Sequence, residues 1–242
     1  MLNTFITDLK KSPYYNKWIF NDNILCLYVG GSISANTSDE NSDFDLIAIT
    51  LSGNSFDASH EVYLKYKGKK VHWYYWPVKE VFKLYNDSVW LAGSIYFKNI
   101  RPELIIYIKP GYQKLWELLI EYRESISKLA CYQLFELMKK EIEQVLSNKD
   151  ILAISPNKGI YHLCLATSYL TNEQYNLDLL RDLKPICRRP PSQSSNEAAV
   201  EIISKGLAYV RSFPINSVLE LEKIYSDFCA RAILLKLKGV EL

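Results

Sequence analysis

The sequence predicts an α+β chain: a small mixed-sheet domain over residues 1–110, followed by an all-α helical bundle over residues 111–242. Three observations predict it. Short apolar, β-branched and aromatic runs crowd the first half. The apolar spacing then changes from strand-like to helical after Pro110-Gly111. The composition, 48% apolar and 23% charged over 242 residues, is that of a globular protein with enough chain to bury a sizeable core.

The elements can be justified in order. A short helix fits residues 3–11. Residues 24–29 (ILCLYV) form an apolar run closed by Gly30-Gly31, and a second short helix fits 32–36. Residues 44–51 (FDLIAITL) are a second strand. Residues 61–67 (EVYLKYK) and 70–76 (KVHWYYW) read as a hairpin with Gly68-Lys69 as its turn, ended by Pro77. A helix fits 78–85, and residues 103–108 (ELIIYI) add a fifth strand. Beyond Gly111, Leu115, Leu119, Tyr122, Ile126 and Leu129 follow 4-3-4-3 spacing, which Leu134, Met138, Ile142 and Val145 continue on a nearby face. That is an amphipathic helix over 112–147, broken at most once. Further helices fit 157–171, 175–183, 196–212 and 216–238. Arg188 to Ser195 reads as a loop, because Pro190-Pro191 forbids helix and the polar run has no face to bury.

Charge and cysteine usage exclude several classes of function. Residues 1–110 hold 12 Lys/Arg against 11 Asp/Glu, and residues 111–242 hold 17 against 16. Neither half is a polybasic nucleic-acid clamp, although a local basic patch is left open. No run reaches the ~18 apolar residues of a membrane span, and Met1 to Lys11 lacks the apolar core of a secretory signal. Cys26, Cys131, Cys164, Cys187 and Cys229 are odd in number and widely spaced, so they read as free thiols of a cytoplasmic protein.

One segment carries chemistry: Gly30-Gly31-Ser32, a spacer, then Ser42-Asp43-Phe44-Asp45-Leu46. Glycines after a strand let a backbone approach an anion closely, and a helix start presents free N–H groups to it. Asp43 and Asp45, at i and i+2 of a strand, face the same way. Two carboxylates opposite a phosphate cradle make a Mg²⁺ site that leaves room for substrate phosphate oxygens.

These residues resemble the signature of the nucleotidyltransferase superfamily typified by DNA polymerase β. The short sheet domain followed by helices resembles its compact bacterial members, the aminoglycoside nucleotidyltransferases and the antitoxin-like minimal nucleotidyltransferases. The resemblance implies that Gly31, Ser32 and Ser42 hold a nucleoside triphosphate, with ATP the expected one. It implies that Asp43 and Asp45 bind two Mg²⁺ ions, and that a nucleoside monophosphate passes to an acceptor hydroxyl by two-metal in-line displacement. The chain departs from the family where a third carboxylate is usual: the matching strand position holds His72. His72 is a candidate base or metal ligand, or a polar strand residue with no role. Glu61, Glu136, Glu141 and Glu143 are candidate substitutes. Lys158, one turn from His162, is a candidate cation for the triphosphate or part of a solvated face. The balanced charge favours a small-molecule acceptor, of the aminoglycoside type, over RNA or protein. The other reading is a catalytically impaired nucleotide sensor or antitoxin-like interaction protein.

Overall fold

Among the described residues of the first half, strand-forming runs and turns assemble into a five-stranded sheet, β1 (Ile24–Val29), β2 (Phe44–Thr50), β3 (Leu64–Tyr66), β4 (Lys69–Pro77) and β5 (Ile105–Ile108), in the order β3-β4-β2-β1-β5. The computed structural model describes residues 2–12, 15, 24–38, 40, 42–50, 64–77, 96–153, 159–174, 177–183 and 190–234. The sheet is mixed: β2 and β4 run parallel, and the other neighbours antiparallel. Helices α1 (Leu2–Lys11) and α2 (Gly31–Ser34) accompany the strands. Helices α3 (Gln113–Leu137), α4 (Lys139–Asn148), α5 (Gly159–Thr171), α6 (Leu177–Leu183), α7 (Gln193–Ser212) and α8 (Ile215–Leu234) follow them. The chain is therefore α+β, with a mixed sheet first and helices after it. Among the described residues no helix is long and apolar enough to cross a membrane.

The chain forms two compact units. The first comprises Met1–Lys83, Asn99–Tyr122 and Asp227–Leu242, and the second Leu84–Lys98 and Arg123–Ser226. In the first, strand alternation sends Phe44, Leu46 and Ala48 of β2 and Val71 and Trp73 of β4 to one face, where they bury with Phe5 and Leu9 of α1. Phe5 stacks on Phe44 with ring centroids 3.9 Å apart. On the opposite face, Cys26 and Ile49 lie under Leu115, Trp116 and Leu119 of α3. Tyr28 is enclosed there too, and burial pushes its hydroxyl well above the usual range, so it stays neutral.

The second unit has its own core, in which α5 and α7 pack closely. A Cβ on Gly206 of α7 would stand 2.2 Å from Thr167 Oγ1 and 2.4 Å from Phe135 Cζ, so only glycine lets these helices approach. Burial pushes the Cys164 thiol up to about 12 and the Cys131 thiol higher still, which keeps both inert.

Two boundaries differ from the sequence expectation, and the long helix takes the one break that expectation allowed. The hairpin turns at Lys67-Gly68, both at positive φ, one residue earlier than expected. That register pairs Tyr66 with Lys69 and sets the Tyr66 ring against Phe5 and Phe44. The long helix breaks at Met138, whose φ of −94° and ψ of 18° leave the helical region and separate α3 from α4. Helix α7 begins at Gln193, inside the stretch expected to be loop, because the Ser192 hydroxyl accepts a hydrogen bond from the Ser195 N–H and caps it. The expected helix over 78–85 lies outside the described residues, as do Arg188 and Arg189.

Candidate functional site

Asp43 and Asp45 flank Phe44 at the start of β2. Phe44 is 2% exposed and points into the α1 core, so the alternation of the strand turns both carboxylates to the other face. The parallel register of β2 and β4 sets His72 directly beside Asp45. His72 Nδ1 lies 3.5 Å from Asp45 Oδ1, and Nε2 lies 3.8 Å from Asp43 Oδ2. Each ring nitrogen thus faces one carboxylate. The three side chains are 36% (Asp43), 22% (Asp45) and 19% (His72) exposed, open to solvent without being dissolved in it.

The turn after β1 closes the other side of the site. Gly30 N–H donates to the Asp45 carbonyl at 2.8 Å, which fixes the turn to β2. Gly31 has φ of +58°, in the left-handed region that favours glycine. A Cβ there would stand 1.9 Å from Asp45 Oδ2. Position 31 is therefore doubly restricted, by its backbone conformation and by the carboxylate packed against it. The following α2 is a single turn. Ser34 Oγ donates to the Gly31 carbonyl at 2.8 Å, and Thr37 N–H to the Ser32 carbonyl at 2.9 Å. Ser32 and Ser42 are buried, at 5% and 4% exposure.

The structure brings Asp43, Asp45, His72 and Gly31 together. It places Ser32 in the first turn of α2, and Ser42 next to Asp43. Lys158 and Glu61 lie outside the described residues. Glu136, Glu141 and Glu143 belong to the second unit, whereas Asp43, Asp45 and His72 belong to the first. Tyr74 lies two residues after His72, on the same face of β4. Its hydroxyl lies 3.5 Å from His72 Nδ1. The signal was the i, i+2 spacing from His72, which becomes informative once β4 is known to lie beside β2. Trp73 and Trp76, on opposite faces of β4, are both buried, at 1% and 3% exposure.

Among the described residues no group of three or more His, Cys, Asp or Glu is arranged as a metal cage. Mg²⁺ is not usually held that way. It takes one or two carboxylates and completes its octahedron with water and substrate phosphate. Two carboxylates on one face, partly open to solvent, fit that requirement.

No protein-family model matches the chain, and no curated protein matches it. Among solved structures, the chain is similar to the crystal structure of a nucleotidyltransferase-like protein from Exiguobacterium sibiricum. That similarity has 11% identity and a TM-score of 0.30, covering 92% of this chain and 77% of that one. A likeness at this level leaves the site to be read from its own residues.

Proposed function

We propose that the chain is a metal-dependent nucleotidyltransferase, which moves a nucleoside monophosphate from a nucleoside triphosphate, ATP first among them, to an acceptor hydroxyl and releases pyrophosphate. The observation that carries this reading is the shared face of Asp43, Asp45 and His72, closed on one side by the Gly30-Gly31-Ser32 turn. Asp43 and Asp45 would hold Mg²⁺, which supplies positive charge to phosphate oxygens.

The residues of the chain account for the remaining requirements. The glycine turn carries no side chain that would keep a triphosphate from the backbone. The acceptor oxygen forms a new bond to the α-phosphorus as the bond to the pyrophosphate oxygen breaks. The acceptor proton needs a destination, because a hydroxyl is a poor nucleophile until a base draws it off. His72 sits between the carboxylates, with each ring nitrogen facing one of them, so it is assigned this role. Asp45 orients the ring through Nδ1, with the Tyr74 hydroxyl beside it.

Pyrophosphate release from ATP and Mg²⁺, across a panel of acceptors, tests the reading. Asp45→Asn removes charge with little change of shape, and release should fall to background while the circular dichroism spectrum is kept. His72→Ala should lower the rate by about 10²–10⁴-fold. Wild-type turnover in Asp45→Asn, or no ATP binding by the wild type, would overturn it.

A further inference from the structure

The two ring nitrogens of His72 are not equally placed. Nε2, 3.8 Å from Asp43 Oδ2, is buried from solvent. Nδ1 has two neighbours at one distance: Asp45 Oδ1 and the Tyr74 hydroxyl each lie 3.5 Å away. The alternation of β4 puts them there. Trp73 is 1% exposed and belongs to the α1 core, so His72 and Tyr74 on either side of it share the opposite face. Tyr74 is half-buried, so solvent reaches this residue where it does not reach Nε2.

A neutral imidazole carries one hydrogen and one lone pair, and only the nitrogen with the lone pair can receive a proton. A hydrogen on Nδ1 would point at Asp45 and leave the lone pair on the buried Nε2, out of reach of an acceptor hydroxyl. A hydrogen on Nε2 points at Asp43 and leaves the lone pair on Nδ1, between Asp45 and Tyr74. An ionised carboxylate has no hydrogen to give that lone pair. A phenolic hydroxyl both donates and accepts, so Tyr74 can fill Nδ1 on one side and take a proton on the other.

Resting on the transferase reading above, we infer that Tyr74 is a further catalytic residue, whose hydroxyl relays the acceptor proton to His72 Nδ1. As the acceptor oxygen bonds to the α-phosphorus, the pyrophosphate oxygen leaves with its electron pair. The acceptor proton passes to the Tyr74 oxygen, and the Tyr74 proton passes to Nδ1. Tyr74 ends as the neutral phenol it began as, and the positive charge rests on the imidazole. Both ring N–H groups then face a carboxylate, Nδ1 toward Asp45 and Nε2 toward Asp43. Before the transfer Asp45 faces a lone pair, which it repels; afterwards it faces an N–H, which it attracts. The site therefore favours the ring that has received the proton over the ring that awaits it, which is the differential that lowers a barrier.

The test uses the full chain and Tyr74→Phe, which removes the oxygen and keeps the ring. The first readout needs neither metal nor acceptor. In protein labelled with ¹⁵N-histidine, the His72 signals are identified by their loss in His72→Gln. The neutral wild-type ring should carry its hydrogen on Nε2, and in Tyr74→Phe the hydrogen should move to Nδ1, toward Asp45. The second readout is single-turnover pyrophosphate release from ATP and Mg²⁺, with water and with the acceptor panel. Tyr74→Phe should lower the rate about 10²-fold, with ATP affinity by calorimetry within about twofold of wild type. In mixtures of light and heavy water the wild-type rate should follow the curve of two protons in flight, and the Tyr74→Phe rate the straight line of one. A wild-type ring with its hydrogen on Nδ1 would overturn the relay. So would an unchanged rate in Tyr74→Phe, or a slowed rate that keeps the two-proton curve, which would assign the loss to packing. These outcomes leave the transferase reading standing. No pyrophosphate release by the wild type with any acceptor would overturn that reading and the relay with it. The hydrogen position and the isotope curve are both read on the wild type, so a misfolded variant would not hide the answer.

Discussion

The two faces of the sheet in the first unit are built from the same strands and part company where β2 and β4 begin. On the α1 side, Phe44, Leu46, Val71 and Trp73 are each 2% exposed or less. On the other side, at neighbouring positions of the same two strands, Asp43, Asp45 and His72 keep contact with solvent and with one another. The difference shows how a backbone that must be rigid for chemistry becomes so. The dry face fixes the register of β2 against β4, and a one-residue slip would carry every polar group of the site into the core. The site inherits its geometry from the face that does no chemistry.

The sharpest way to break this comparison is on the dry side. Trp73 pairs with Leu46 across the parallel ladder and is 1% exposed. Trp73→Ala should cost about 3–5 kcal/mol in denaturant unfolding, because it empties a large volume inside the core. Asp45→Asn should stay within about 0.5 kcal/mol of wild type while losing pyrophosphate release. If the two variants lost stability equally, the faces would not be independent.

A smaller effect isolates the junction between turn and strand. Gly31 and Gly68 both have positive φ, at +58° and +81°. A Cβ at Gly68 meets nothing within 4 Å, whereas one at Gly31 meets the Asp45 carboxylate. Gly68→Ala should therefore show the conformational cost alone, about 1–2 kcal/mol. Gly31→Ala should add to it and displace Asp45, lowering pyrophosphate release where Gly68→Ala does not. Equal costs with activity kept in both would mean that the carboxylate can turn aside freely.

Local pattern made much of this legible in the sequence. Phe44 between two aspartates is period-2 alternation in three residues, and the two glycines after an apolar strand mark a turn whatever its use. The aromatic hairpin was visible for the same reason. What stayed hidden was pairing across distance. His72 lies beside Asp45 because β4 runs parallel to β2; the resemblance pointed to that position, and nothing in residues 70–76 by themselves names the neighbour. The Tyr66–Lys69 pairing depends on a turn at Lys67-Gly68, and a one-residue error in the turn changes every partner. The start of α7 was missed because Ser192 to Ser195 has loop composition, and the same hydroxyls that suit a loop also cap a helix.

The smallest prediction tests that turn. A two-residue hairpin loop with positive φ at both positions is the type I′ geometry, in which Asn-Gly is strongly preferred. Here the first position is Lys67 at φ of 48°, a conformation that costs an ordinary side chain and that asparagine tolerates. Lys67→Asn should relieve part of that cost. It also removes the Lys67 ammonium from over the Tyr66 ring, 5.2 Å from its centroid, an exposed contact of small value. The backbone gain should exceed the lost contact, so the urea midpoint should rise slightly with an unchanged slope. A lower midpoint would show that the cation over Tyr66 holds the hairpin more firmly than its turn does.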